Sequence, residues 1–113
     1  MHAVASGFGP VGPLSTKKGF DGAAQARGGI VSITGPEATP VMVGELVADT
    51  GGGVQLALGI MTALYAREKS GGGLGQQVKT SLYGSQLWSQ VHILAVNAQK
   101  IRRASPIFMR ESS

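Results

Sequence analysis

Cysteine is absent from the 113 residues, charged side chains make up only 14%, and aromatics are limited to three Phe, two Tyr and one Trp. The lack of Cys excludes disulfides and thiolate zinc sites. The two His residues, His2 and His92, stand too far apart to form a local metal motif. A net charge of +4 could point to nucleic acid, but Lys100, Arg102, Arg103 and Arg110 crowd into the last fourteen positions, and Phe108 is the only aromatic near them. A basic face interleaved with aromatics is therefore missing, and nucleic-acid binding is not expected. The first residues carry no basic cluster and are interrupted by Gly9-Pro10 and Gly12-Pro13, which fits neither a secretion signal nor a transit helix. The longest apolar stretch, Val54 to Ala66, falls short of the ~20 residues that span a bilayer. A soluble, cytoplasmic protein without a membrane partner is expected.

Glycine, by contrast, is abundant: 18 residues, against about 7% in ordinary chains. Sparse charge and heavy punctuation are unusual for a free-standing small domain and are expected of a piece of a larger protein. The pattern predicts an α/β arrangement, helix-rich with short strands. Ser6 to Pro13 has too many breakers to be regular and reads as an extended loop. Ala23, Ala24, Gln25 and Ala26 favour a short helix over Asp21–Ile33, closed by Thr34-Gly35-Pro36. Pro40 to Val47 fits a short strand or an irregular crossing segment. From Val54 to Lys69 the apolar positions Val54, Ala57, Leu58, Met61, Leu64 and Tyr65 follow the 3.6-residue period and predict a buried helix, stopped by Gly71 to Gly73. Gln77 to Leu82 alternates as a strand does. A last helix is expected over about Tyr83 to Gln99, with Leu87, Val91, Leu94 and Ala95 on one face and Gln86, Ser89, Gln90 and Asn97 largely opposite. Residues 101–113 read as a basic, irregular tail.

The segment Val47-Ala48-Asp49-Thr50-Gly51-Gly52-Gly53, leading into the apolar helix, has the most chemical potential. Backbone N–H groups and the positive end of a helix dipole keep a carboxylate ionised, and three glycines leave room for a bulky thioester. Simple helix capping by Asp49 explains the same residues. A phosphate cradle is a weaker alternative, because the Gly-Lys-Ser/Thr ending and the spaced dinucleotide fingerprint are both missing. Lys18-Gly19-Phe20-Asp21 combines a cation, a flexible joint and a ring, as a site for a phosphate-bearing nucleotide tail would. A solvated lysine, a core Phe and an Asp capping the next helix explain it equally well. Trp88 and His92, one turn apart, read as core packing.

The order of the pieces is more specific than any one of them. Phe8-Gly9-x-x-Gly12-Pro13, Gly19-Phe20-Asp21-x-x-x-Gln25-Ala26, Gly28-Gly29-Ile30-x-Ser32-Ile33-Thr34-Gly35, Ala48-Asp49-x-x-Gly52, Ala63-Leu64-x-x-Arg67-Glu68-x-Ser70-Gly71 and Gly75-Gln76-x-Val78-x-x-Ser81-Leu82 follow one another at nearly fixed spacing. This succession resembles the central stretch of the family III CoA-transferases (CaiB/BaiF, formyl-CoA transferase-like). The match ends near Lys100, and the Gly71–Gly75 turn is two residues longer than usual.

The resemblance implies that residues 1–100 are part of a Rossmann-like large domain. It implies that Asp49 is the nucleophile, attacking an acyl-CoA carbonyl to give a mixed anhydride and then an aspartyl-CoA thioester, from which CoA passes to an acceptor carboxylate. Lys18, Gly19, Phe20 and Asp21 match positions that line the CoA site. No metal or redox cofactor is implied, CoA thioester being the substrate, and relatives of full length form interlocked homodimers. The family's N-terminal half, its small domain and its glycine-rich active-site loop find no counterpart here, so an internal fragment, inactive in isolation, is expected. The related α-methylacyl-CoA racemases carry His where Phe20 stands, and a phenyl ring cannot exchange protons. A racemase-like isomerase and a non-catalytic remnant remain the alternative readings.

Overall fold

A computed structural model describes residues 1–104. Strand β1 (His2–Ser6) is followed by a long irregular segment, helix α1 (Asp21–Gly28) and a single 3-10 turn at Ile30–Ile33. Helix α2 (Val47–Lys69), strand β2 (Gln77–Ser81), helix α3 (Leu82–Ser89) and helix α4 (Val91–Ala104) complete the order. β1 and β2 pair in parallel, from His2 opposite Gln77 to Ser6 opposite Ser81. The mixed α/β, helix-rich character is as expected. The Cα radius of gyration is 18.1 Å, well above the roughly 13 Å of a compact domain this long.

Element boundaries depart from expectation where glycine and side-chain caps compete. Strand β1 precedes the expected loop and takes in its first residue, Ser6; no element is expected there from the sequence. Its one large apolar residue, Val4, gives too little alternation to reveal a strand. α1 stops at Gly28, before the predicted Ile33, because Gly29 adopts the left-handed conformation (φ 92°) and closes the helix with a bond to the Ala26 carbonyl. Residues 40–46 are irregular. α2 ends as predicted: the Gly72 N–H reaches the Arg67 carbonyl and the Gly71 N–H the Glu68 carbonyl, with Gly71 left-handed, which is a Schellman closure. The strand-to-helix switch after β2 is abrupt because the Ser81 hydroxyl accepts the Gly84 N–H and caps α3. The predicted single helix over residues 83–99 is broken at Gln90, and α4 runs on to Ala104, so the first residues of the supposed irregular tail are helical. The rest of that tail, residues 105–113, lies outside the described residues.

Two helices pack the opposite way round from the prediction. α2 begins at Val47, so its glycines lie inside the helix, not in a turn ahead of it. Its buried residues are Ala48, Gly52 and Ala63, whereas Val54, Leu58, Met61 and Tyr65 are each at least 64% exposed. Close approach decides this: a Cβ on Gly52 would stand 3.0 Å from Leu82 Cδ2, and one on Gly59 2.7 Å from Val78 Cγ1. The small-residue face lies against α3 and β2, and the large apolar stripe is left outside. α3 likewise buries Ser85, Gln86 and the following Gln90, while Trp88 (72% exposed) and Val91 face outward. Ser85 and Gln90 are buried with backbone acceptors in reach, whereas Gln86 Oε1 is buried without a partner among the described residues. Ser85 Oγ donates to the Ala48 carbonyl at 3.2 Å, and Gln90 Nε2 donates to the Gly28 and Gln86 carbonyls at 3.0 Å each. Trp88 and His92 are therefore not core residues.

α2 has 23 residues and contains an 18-residue window with a mean hydropathy of 1.2, so it is long and apolar enough to cross a membrane by length and composition alone, which the shorter stretch Val54–Ala66 is not.

Candidate functional site

Three helix N-termini and the carboxyl ends of both strands gather around the segment that carries Asp49. The chain leaves β1 at Ser6 and crosses itself almost at once. A Cβ on Gly7 would lie 2.5 Å from Gly19 Cα, so only two glycines allow the backbones to touch there. The Gly7 carbonyl also accepts the Tyr83 N–H at 3.0 Å, and the Phe8 and Tyr83 rings lie 6.1 Å apart, tilted at 51°. These contacts seat residues 18–21 beside the ends of β1 and β2. In open α/β sheets that is the edge where ligands bind.

Within that turn Lys18 is exposed, Gly19 half-buried and Phe20 75% exposed. Phe20 is thus not the core residue that one reading proposed. Asp21 is different: it is 4% exposed and faces inward. Its Oδ1 accepts the Ala48 N–H at 2.7 Å and the Asp49 N–H at 3.0 Å, and its Oδ2 accepts Gln25 Nε2 at 2.6 Å. Asp21 caps a helix, but α2 in place of the α1 it begins. α1 has Phe20 at its N-cap with no side-chain bond. α2 has Leu46 at its own N-cap, which has no side chain able to cap, so the cap comes from another helix.

Asp49 lies in the first turn of α2 with its side chain exposed. The amides that the sequence offered to it are used elsewhere. Those of Ala48 and Asp49 go to Asp21, that of Val47 to the Glu45 carbonyl at 2.9 Å, and that of Thr50 to the Leu46 carbonyl at 3.0 Å. What remains for the Asp49 carboxylate is the positive end of the helix dipole and an open approach. Such a group, at a helix N-terminus and without a hydrogen-bond partner among the described residues, is able to attack an electrophile presented from solvent.

The structure thus joins the two segments singled out in the sequence through Asp21, which bonds to the backbone of Asp49 itself. Sequence reasoning missed Gln25 as a site-building residue. Gln25 is fully buried; its Nε2 also donates to the Glu45 carbonyl at 3.1 Å, and its Oε1 accepts the Val43 N–H at 2.9 Å. The signal was present: Asp21 and Gln25 are four apart and share one helix face. Among the described residues, no three His, Asp or Glu side chains converge as metal ligands would.

Beside α2 and α3 runs an open groove of about 840 Å³, bordered by Val54, Leu58, Thr62 and Trp88 and reaching Thr50 and Gly51 next to Asp49.

The family model described as CoA-transferase family III matches residues 2–107, beyond the Lys100 limit expected from motifs. The chain is 38% identical over 96 residues to the acetyl-CoA:oxalate CoA-transferase of Acetobacter aceti, covering 83% of this chain and 24% of that protein. It is 46% identical over 81 residues to the formyl-CoA:oxalate CoA-transferase of Rhodopseudomonas palustris strain TIE-1, covering 71% and 18%. A crystal structure of a CAIB/BAIF family protein from Brucella suis matches with a TM-score of 0.75 at 30% identity, over 85% of this chain and 25% of that one. The chain therefore spans about a quarter or less of the length of these relatives.

Proposed function

The chain belongs to CoA-transferase family III, and from that membership we propose that it carries the nucleophile of an enzyme that moves CoA between an acyl-CoA and a carboxylic acid. The observation that carries the reading is the placement of Asp49: an exposed carboxylate in the first turn of α2, tied through Asp21 to the outward-facing turn of Lys18 and Phe20.

The chemistry follows from a carboxylate meeting a thioester. An Asp49 oxygen attacks the acyl carbonyl carbon, the C–S bond breaks, and CoA leaves as thiolate, giving a mixed anhydride. The thiolate then attacks the Asp49 carbonyl carbon, which releases the donor acid and leaves an aspartyl-CoA thioester. The acceptor carboxylate attacks that thioester and CoA thiolate departs; the thiolate then attacks the acceptor's carbonyl, forming the new acyl-CoA and restoring the Asp49 carboxylate. Charge and bonds balance at every step without metal or redox chemistry. Lys18, with Gly19 and Phe20, is proposed to hold the CoA tail, and Asp21 contributes to that turn through its backbone, its side chain being engaged inside. The names of the relatives make acetyl-CoA, formyl-CoA and oxalate the first substrates to test. A cytoplasmic location and an interlocked homodimer belong to the same reading.

The test is mass spectrometry of the full polypeptide that carries these residues, quenched during turnover with acetyl-CoA or formyl-CoA. A CoA adduct on the peptide containing Asp49, absent in Asp49→Ala, supports the reading. An adduct on another residue would overturn it.

A further inference from the structure

Asp21 and Gln25 hold the segment before and into α2 at four backbone points: the Val43 N–H, the Glu45 carbonyl, the Ala48 N–H and the Asp49 N–H. Both side chains are buried, and neither reaches solvent as a binding group would. α2 has no cap of its own. A carboxylate in the first turn of an uncapped helix has an obvious partner: the unsatisfied N–H groups of its own turn. Asp49 is such a carboxylate, and it would be drawn back onto the backbone if those donors were free. They are not free, because Asp21 Oδ1 takes both.

We propose that Asp21 is the positioning residue for the CoA-transfer step: by occupying the Ala48 and Asp49 amides it keeps the Asp49 carboxylate turned outward and fixes its backbone where the thioester arrives. Gln25 holds Asp21 in that pose through its 2.6 Å bond to Oδ2. Asp21 touches no reacting atom and moves no proton. Its effect is on geometry, and a nucleophile displaced by about 1 Å loses roughly 10²-fold in rate. The inference rests on the reading of Asp49 as nucleophile.

The test measures single-turnover formation of the Asp49–CoA adduct at saturating acetyl-CoA or formyl-CoA in the full polypeptide, alongside CoA affinity. Asp21→Ala is expected to slow adduct formation about 10²-fold, with CoA affinity within about twofold of wild type. Asp21→Asn keeps an oxygen for both amides but turns its Nδ2 donor toward Gln25 Nε2, and is expected to recover part of the rate lost in Asp21→Ala. A wild-type rate in Asp21→Ala, a loss of CoA affinity equal to the loss of rate, or an asparagine variant as slow as the alanine one would each overturn the proposal. Should Asp21→Ala not fold, Asp21→Glu takes its place. It keeps the charge but shifts the acceptor by one methylene, and it must show the same rate-only loss; an unchanged rate sinks the idea. The two readings fail separately. If wild type forms no adduct on Asp49, the nucleophile assignment falls and this proposal with it; if wild type does and the Asp21 variants match it, only the role of Asp21 falls.

Discussion

Gly28 on α1 lies against Gln86 on α3 so closely that a Cβ added to the glycine would stand 2.5 Å from the Gln86 Cβ. That contact lets the Gln90 amide reach the Gly28 carbonyl and keeps the helix supporting Asp21 in place. Gly53, in the first half of α2, has nothing within 4 Å of such an atom.

These two glycines should respond to alanine in opposite directions. Gly28→Ala forces Gln86 or the whole of α3 to move and should destabilise by about 1–3 kcal/mol. Gly53→Ala fills open space in a helix and should stabilise by about 0.5–1 kcal/mol. Denaturant midpoints of the two variants check this. Equal signs would mean that the α1–α3 contact is looser than described.

Asp49→Ala should separate chemistry from folding. Its side chain is exposed and takes part in none of the side-chain hydrogen bonds that build the site, so only a helix-dipole contribution of about 0.5 kcal/mol is lost. Transferase activity should fall by at least about 10³-fold, while the melting temperature moves by a few degrees at most. A variant that retained activity would remove Asp49 from the mechanism.

Lys18→Ala should act on binding. The side chain is exposed and is proposed to meet the phosphates of CoA, so KM for acyl-CoA should rise about tenfold, the equivalent of 1.4 kcal/mol, with kcat nearly unchanged. A fall in kcat at constant KM would instead place Lys18 at the reacting centre.

Phe20 gives a prediction about reaction type. It sits at the N-cap of α1, 75% exposed, with no group able to carry a proton. With a 2-methylacyl-CoA in D₂O and no acceptor acid, deuterium should not enter the α-position. Steady incorporation would favour the isomerase reading.

Much of this arrangement was legible beforehand, and the parts that were not share a physical cause. The glycine stop after Lys69, the strand at Gln77 and the mixed α/β class follow from local signals: a left-handed closure, period-two alternation and the succession of elements. The site could be read as two short segments, around Lys18 and around Asp49. The bond that joins them could not, because Asp21 caps a helix 27 residues away and local spacing carries no trace of it. The packed faces were inverted for a related reason. Hydrophobicity marks Val54, Leu58 and Trp88 as interior, but backbone proximity at Gly28, Gly52 and Gly59 and the polar bonds of Ser85 and Gln90 decide which side turns inward. Periodicity finds a face; it does not say against what.

The parallel ladder between residues 2–6 and 77–81 also bears on how the chain comes into being. On the ribosome β1 emerges some seventy residues before β2 and waits that long for this partner. Such a long wait costs loop-closure entropy and leaves a nascent edge open to wrong pairings. The two strands are only five residues each, which limits how much sticky edge is on show meanwhile.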